Sequence, residues 1–146
     1  MTTLGYVVGS FISGKFSERF GIHFMLLQGS WITALGLLLS LFIFWLGFGS
    51  ATVFFGCMIL AGVGNGMVLP NANAGLLSVR PSLAGSASGI GGAIMLGGGA
   101  FLAYLAGLIS TEQAGPYPLM YLMIFTAFAA LFIVRYIIFL ERDIVV

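Results

Sequence analysis

Apolar residues fill long uninterrupted stretches of this chain, and the polar residues gather in short groups between them. No formal charge occurs from Phe24 to Val79, from Pro81 to Thr111 or from Gln113 to Val134. An α-helix needs about 20 residues to cross the hydrocarbon core of a bilayer, because each residue adds about 1.5 Å. The last two stretches therefore predict one membrane-spanning helix each, and the first is long enough for two.

A cluster of turn-forming residues from Gly47 to Ser50 divides the first stretch into two helices. A further apolar segment precedes Lys15, Glu18 and Arg19, and it is short for a full crossing. The predicted fold class is therefore all-α, a single-domain polytopic transmembrane helix bundle with five spans over residues 1–146. The predicted helices cover residues 3–16, 24–46, 52–77, 84–110 and 117–140.

Composition supports lipid as the solvent of this chain. Hydrophobic residues make up 60% and charged residues only 6%, whereas about 25% of residues are charged in soluble domains. A transmembrane β-barrel is excluded, because residues 35–45 are apolar on every side instead of alternating. The five basic residues are scattered, so no nucleic-acid surface is expected, and the single cysteine, Cys57, allows no intrachain disulfide.

The basic residues share one side of the membrane if successive helices alternate in direction. Glu112 is then the only charged residue in the loops on the other side. The positive-inside rule makes the basic side cytoplasmic and places the C-terminus inside. For Arg135, near the end of the fifth helix, extension to the interface is favoured over a buried ion pair. The basic residues concerned are Lys15, Arg19, Arg80, Arg135 and Arg142.

Glycine and aromatic residues divide the helices into two kinds. The fourth predicted helix has eight glycines, while the fifth has seven aromatic residues and none. Small residues let helices approach closely in lipid, so the fourth helix is expected to be crowded, together with Gly5-x3-Gly9 and Gly62-x3-Gly66. Helices two and five are expected to face lipid. Whether the glycines only hold a static bundle stays open. The packing glycines predicted in helix four are Gly85, Gly89, Gly97, Gly98 and Gly99.

The third helix carries three amides around Pro70, which removes a backbone hydrogen bond and bends the helix. Asn65 lies near the middle of the helix and is a candidate for a cavity wall. Asn71 and Asn73 lie nearer the cytoplasmic end, where interhelical hydrogen bonding is favoured. The candidate substrate-binding residues are Asn65, Asn71, Asn73, Met67 and Met95.

No catalytic chemistry is predicted. No nucleophile is paired with a base, and the single His, the single Cys and the separated carboxylates offer no metal site and no cofactor site. All four carboxylates lie at or beyond helix ends, so none can carry a proton within the membrane.

The stretch from Gly14 to His23, GKFSERFGIH, resembles the G-x-x-x-[D/E]-R-x-G-x-[R/K] loop of major facilitator superfamily transporters, with His23 in place of the usual basic residue. This resemblance marks Gly14, Glu18, Arg19 and Gly21 as a gating loop. Residues 69–74 and 84–89 are similar to helices ten and eleven of the Bcr/CflA drug-resistance subfamily.

The resemblance implies that the chain is a partial C-terminal half, helices eight to twelve, in which helices one, three and four line a central cavity. It implies export of small apolar or cationic drug-like substrates in exchange for protons, across a bacterial inner membrane. The partners would be the lipid bilayer and a missing N-terminal half that holds the proton-carrying carboxylate. Two alternatives stay open: a small non-transporting membrane subunit or anchor, and an inactive truncated gene product.

Overall fold

The computed structural model describes residues 2–78, 81–110 and 115–144. These residues form five α-helices and no strand, which confirms the all-α fold class. Arg80 and Glu112, used above to orient the chain, lie outside the described residues, as does the side chain of Arg142. The helices are α1 (Thr2–Phe20), α2 (Ile22–Ile43), α3 (Ala51–Ser78), α4 (Ala84–Ile109) and α5 (Tyr117–Ile144).

Within the described ranges, four helical segments are long and apolar enough to cross a membrane: residues 22–45, 51–78, 84–109 and 117–140. The first helix, α1, is not among them, since its last part carries Lys15, Glu18 and Arg19. It is also longer than the predicted 3–16, because no proline interrupts the helix before Phe20. The gating "loop" is consequently mostly helical.

The helix α3 lies at the centre of the bundle and packs against α1 and α2. In the contact between α3 and α1, backbone atoms of one helix lie directly against backbone atoms of the other. A Cβ added to Gly9 would overlap the carbonyl oxygen of Val63, and one added to Gly66 would overlap that of Tyr6. The two small-residue motifs predicted in helices one and three therefore meet each other.

The helix α2 differs from its predicted place on the lipid-facing outside. One side packs on α3, where a Cβ on Gly29 would lie 2.7 Å from the carbonyl oxygen of Gly64, and α5 packs against it as well. Met25, Ala34 and Leu37 are buried in these contacts. The aromatic content of the helix was misleading because its aromatic residues, Phe24, Trp31 and Phe42, lie on the exposed side.

The helix α4 buries no residue among those described. None of its five predicted packing glycines has a neighbour within 4 Å of an added Cβ; in this helix only Gly91 does, and it touches Leu76 of α3. The helices described here therefore do not supply the crowding expected for α4. That crowding stays a prediction, and it requires another protein segment.

An aromatic cluster lies just beyond the last residue of α2 and connects this end of the helix to α3 and α5. The ring of Phe44 packs edge-on against Phe54 and Tyr117, with centroid distances of 6.3 and 6.5 Å. Beyond Phe44 the chain turns through Gly47, whose φ of +84° suits a residue without a side chain. This turn lies within the predicted 47–50 cluster and leads the chain into α3.

Substituting Gly9 with Ala tests the backbone contact between α1 and α3. The new methyl group must push the helices apart, so we expect the free energy of unfolding to fall by about 1 to 3 kcal/mol, measured as a lower melting temperature in detergent. Gly56→Ala is the matched control, because Gly56 of α3 has open space around it. Equal melting temperatures for the two variants would contradict the close contact.

Candidate functional site

Pro70 interrupts the hydrogen-bond ladder of α3. Because proline has no backbone N–H, the carbonyl oxygen of Gly66, four residues earlier, loses its usual donor. The Ser10 hydroxyl of α1 donates to that oxygen at 3.3 Å. A side chain from the neighbouring helix therefore satisfies the group that the proline leaves free.

Asn71, next along the helix, is buried between α3 and α1, with 3% of its surface exposed. Its Nδ2 donates to the Ser13 hydroxyl at 2.5 Å and to the Met67 carbonyl oxygen at 2.6 Å. Its Oδ1 accepts from the Ser17 hydroxyl at 2.7 Å. This side chain is fully engaged in hydrogen bonds, which agrees with the packing role favoured from the sequence.

Sequence reasoning missed the serines of α1 that make these contacts. Ser10, Ser13 and Ser17 are spaced three and four residues apart, which places them on one face of a helix. That spacing was available in the sequence, but nothing in α1 indicated which helix the face would meet.

Asn65 has a different environment from Asn71, because its side chain is exposed. It lies near the middle of α3 and lines two cavities, one of about 210 Å³ and one of about 470 Å³. Ala61 and Met123 also line both. The smaller cavity lies between α2, α3 and α5, and the larger one reaches the start of α1. Asn65 is therefore at the junction of two adjoining cavities.

The polar groups around the smaller cavity are three hydroxyls that sequence reasoning did not single out. Ser30 donates to the Leu26 carbonyl oxygen at 2.8 Å, and Thr33 donates to that of Gly29 at 3.0 Å. Thr126 of α5 donates to its own helix in the same way. Since each hydroxyl proton is used, the oxygens remain as acceptors, and the Asn65 amide can add donors.

No charged residue of the described part of the chain lines either cavity. The walls combine apolar side chains with acceptor oxygens, and Thr2, Thr3 and Tyr6 add further polar atoms to the larger cavity. Acceptor oxygens favour a ligand that carries hydrogen-bond donors, whether neutral or cationic, and offer nothing that neutralises an anion.

The other candidate binding residues lie away from these cavities. Met67 is buried between α3 and α2, with its Cβ close to Gly29. Asn73 and Met95 are exposed on α3 and α4 but line neither cavity. Their contact with substrate stays a prediction.

The predicted gating residues lie at the last turns of α1. Glu18 and Arg19 are exposed, and the Arg19 guanidinium lies 5.7 Å from the centre of the Phe20 ring. Gly14 has no neighbour within 4 Å of an added Cβ. Gly21 alone links α1 to α2, with a φ of +83° that favours glycine. Their gating role stays a prediction.

The Major Facilitator Superfamily family model matches residues 1–143. The chain belongs to the major facilitator superfamily. Members of this family are transporters, and the apolar helices agree with a multi-pass membrane protein. No curated protein and no solved structure matched the chain.

Replacing Asn71 with Ala tests the hydrogen-bonded contact with α1. The change leaves the Ser13 and Ser17 hydroxyls without their partner, so we expect a loss of about 1 to 2 kcal/mol in the free energy of unfolding. The loss is measured as a lower melting temperature in detergent. Asn73→Ala is the control, since Asn73 is exposed. If both variants unfolded at the wild-type temperature, the contact would not contribute to stability.

Proposed function

We propose that this chain forms helices eight to twelve of a major facilitator superfamily transporter of the Bcr/CflA type. The transporter exports small apolar or cationic drug-like compounds in exchange for protons by alternating access. The observation that carries the proposal is the exposed Asn65 side chain, which lies in the middle of α3 and lines two cavities. Asn65 has no hydrogen-bond partner among the described residues, and an amide in that position at mid-membrane depth is costly unless water or a ligand reaches it.

The chemistry of the cavities supports this class of substrate. Apolar walls contact the body of a lipophilic compound, and the hydroxyl oxygens of Ser30, Thr33 and Thr126 accept hydrogen bonds from an ammonium or amide group. None of the described residues places a carboxylate there to bind a cation tightly. Binding is then weak enough for release, as transport requires.

The helix contacts support the proposal that some helices of this chain move together during transport. Backbone contact through Gly9 and the hydrogen bonds of Asn71 join α1 to α3, so these helices move as a unit. The gating residues Glu18 and Arg19 lie at the end of α1, where the single residue Gly21 permits a change of direction. A charge contact made by Glu18 or Arg19 at this end of α1 favours one conformational state of the bundle.

The remaining parts of the transport cycle are assigned to a partner half. Glu18 is the only carboxylate whose side chain the structure describes, and it lies at the end of α1, outside the four apolar spans. We therefore assign the proton-carrying carboxylate to an N-terminal half. That half also packs on the open glycines of α4. In this arrangement the protein lies in a bacterial inner membrane with its C-terminus in the cytoplasm.

Substituting Asn65 with Leu tests the transport pathway. Everted vesicles are prepared from cells that express the chain with all in-frame upstream sequence, and uptake of a fluorescent lipophilic cation is followed after a proton gradient is imposed. The variant loses the amide but no hydrogen bond to a described residue, so we expect normal stability and a roughly tenfold lower flux.

Asn65→Gln is the conservative control, and it should retain most of the flux because it keeps the amide. Unchanged flux in Asn65→Leu would remove Asn65 from the pathway. Absence of gradient-dependent flux in the wild type would favour the non-transporting subunit or the inactive truncated product.

A further inference from the structure

Arg135 is a cation on an otherwise apolar, exposed part of α5. It comes about one and a half helical turns before Leu140, where the apolar span ends, so its Cα lies about 7 Å inside that end. A groove of about 320 Å³ between α2 and α5 is lined by Leu27, Arg135, Ile138 and Phe139. The groove thus combines one guanidinium with three apolar side chains.

This guanidinium needs partners that the described residues do not supply. Among the residues that the structure describes, no carboxylate lies within ion-pair distance of Arg135, and no hydrogen bond satisfies its donors. An arginine carries five N–H donors, and leaving them in hydrocarbon is costly. The acceptors must therefore come from outside the described residues.

Extension to the aqueous interface works against the geometry of the helix. Each Cα–Cβ bond in an α-helix tilts toward the N-terminus, which for α5 is the end at Tyr117. The side chain of Arg135 thus starts out toward the middle of the membrane and not toward the nearer interface. A phosphate drawn into the groove would shorten the distance that the guanidinium has to cover.

We infer that the α2–α5 groove binds an anionic phospholipid, whose phosphate is held by Arg135. The planar guanidinium matches the phosphate oxygens, and Leu27, Ile138 and Phe139 contact the first carbons of an acyl chain. An anionic lipid is favoured over a zwitterionic one, because the latter brings its own cation close to Arg135. The site depends on α5 crossing the membrane and not on the proposed transport.

Trp31 provides a reporter for this site. It follows Leu27 by four residues and therefore lies on the same side of α2, and its side chain is 37% exposed. The chain has two tryptophans, so the substitution Trp45→Phe leaves Trp31 as the only one. Lipids brominated on their acyl chains quench tryptophan fluorescence on contact.

The Trp45→Phe chain is reconstituted into phosphatidylcholine vesicles that contain either brominated phosphatidylglycerol or brominated phosphatidylcholine at equal fractions. We expect phosphatidylglycerol to occupy the groove with about fivefold higher relative affinity, as one cation near the headgroup provides. Arg135→Gln should abolish this preference. Arg19→Gln should keep it, because it removes the same charged group from α1, outside the groove.

Equal quenching by the two lipids in the Trp45→Phe chain, which keeps Arg135, would by itself overturn the inference. A preference that survives in Arg135→Gln would also overturn it. Inorganic phosphate at millimolar concentration should leave the preference unchanged; if it abolished the preference, the groove would bind a free anion and not a lipid. Arg135→Lys should retain part of the preference, since it keeps the charge but not the planar donor group.

Discussion

Backbone contact between α1 and α3 is the interaction on which the rest of this structure depends. In lipid there is no hydrophobic force between apolar helices, so association comes from close packing and hydrogen bonds. Gly9 and Gly66 allow the two backbones to touch because they have no side chain at the contact. With α3 fixed in this way, α2 packs on its other side and α5 packs on α2.

The same close approach places the polar groups of the membrane interior. A backbone or amide group in hydrocarbon has to be satisfied by protein or by water in a cavity. Around Pro70 the serines of α1 are near enough to satisfy Gly66 and Asn71. Asn65, less than two turns earlier on α3, has no such partner and lies at the junction of the cavities. The residues around Asn65 and Asn71 thus give these two amides of one helix different environments.

Much of the fold could be predicted from the sequence, because charge-free stretches of the right length can satisfy their backbone in lipid only as helices. The bounds of α3 and α4 differ from the predicted ones by a single residue at most. The inward side of α2 was missed, because a count of aromatic residues ignores on which side they lie. The glycines of α4 led us to expect that this helix would be crowded, yet the described helices leave it open. Composition does not indicate which helix packs against which.

The candidate site was predicted less completely, for a related reason. An amide in an apolar helix marks either a cavity or an interhelical hydrogen bond, and only the neighbouring helix decides which. Asn65 was placed in a cavity wall by its depth alone. The hydroxyls of Thr33 and Thr126, from two other helices, could not be assigned to the same cavity before the packing of α2 and α5 was known.

Cysteine accessibility along α3 is the direct test of whether position 71 is sealed against α1 while position 65 faces a water-filled cavity. In a chain with Cys57→Ser, single cysteines at positions 65 and 71 are treated with a water-soluble maleimide in membranes. We predict rapid labelling of Asn65→Cys, slowed by a transported compound, and little labelling of Asn71→Cys. Labelling of position 71 with position 65 protected would contradict it.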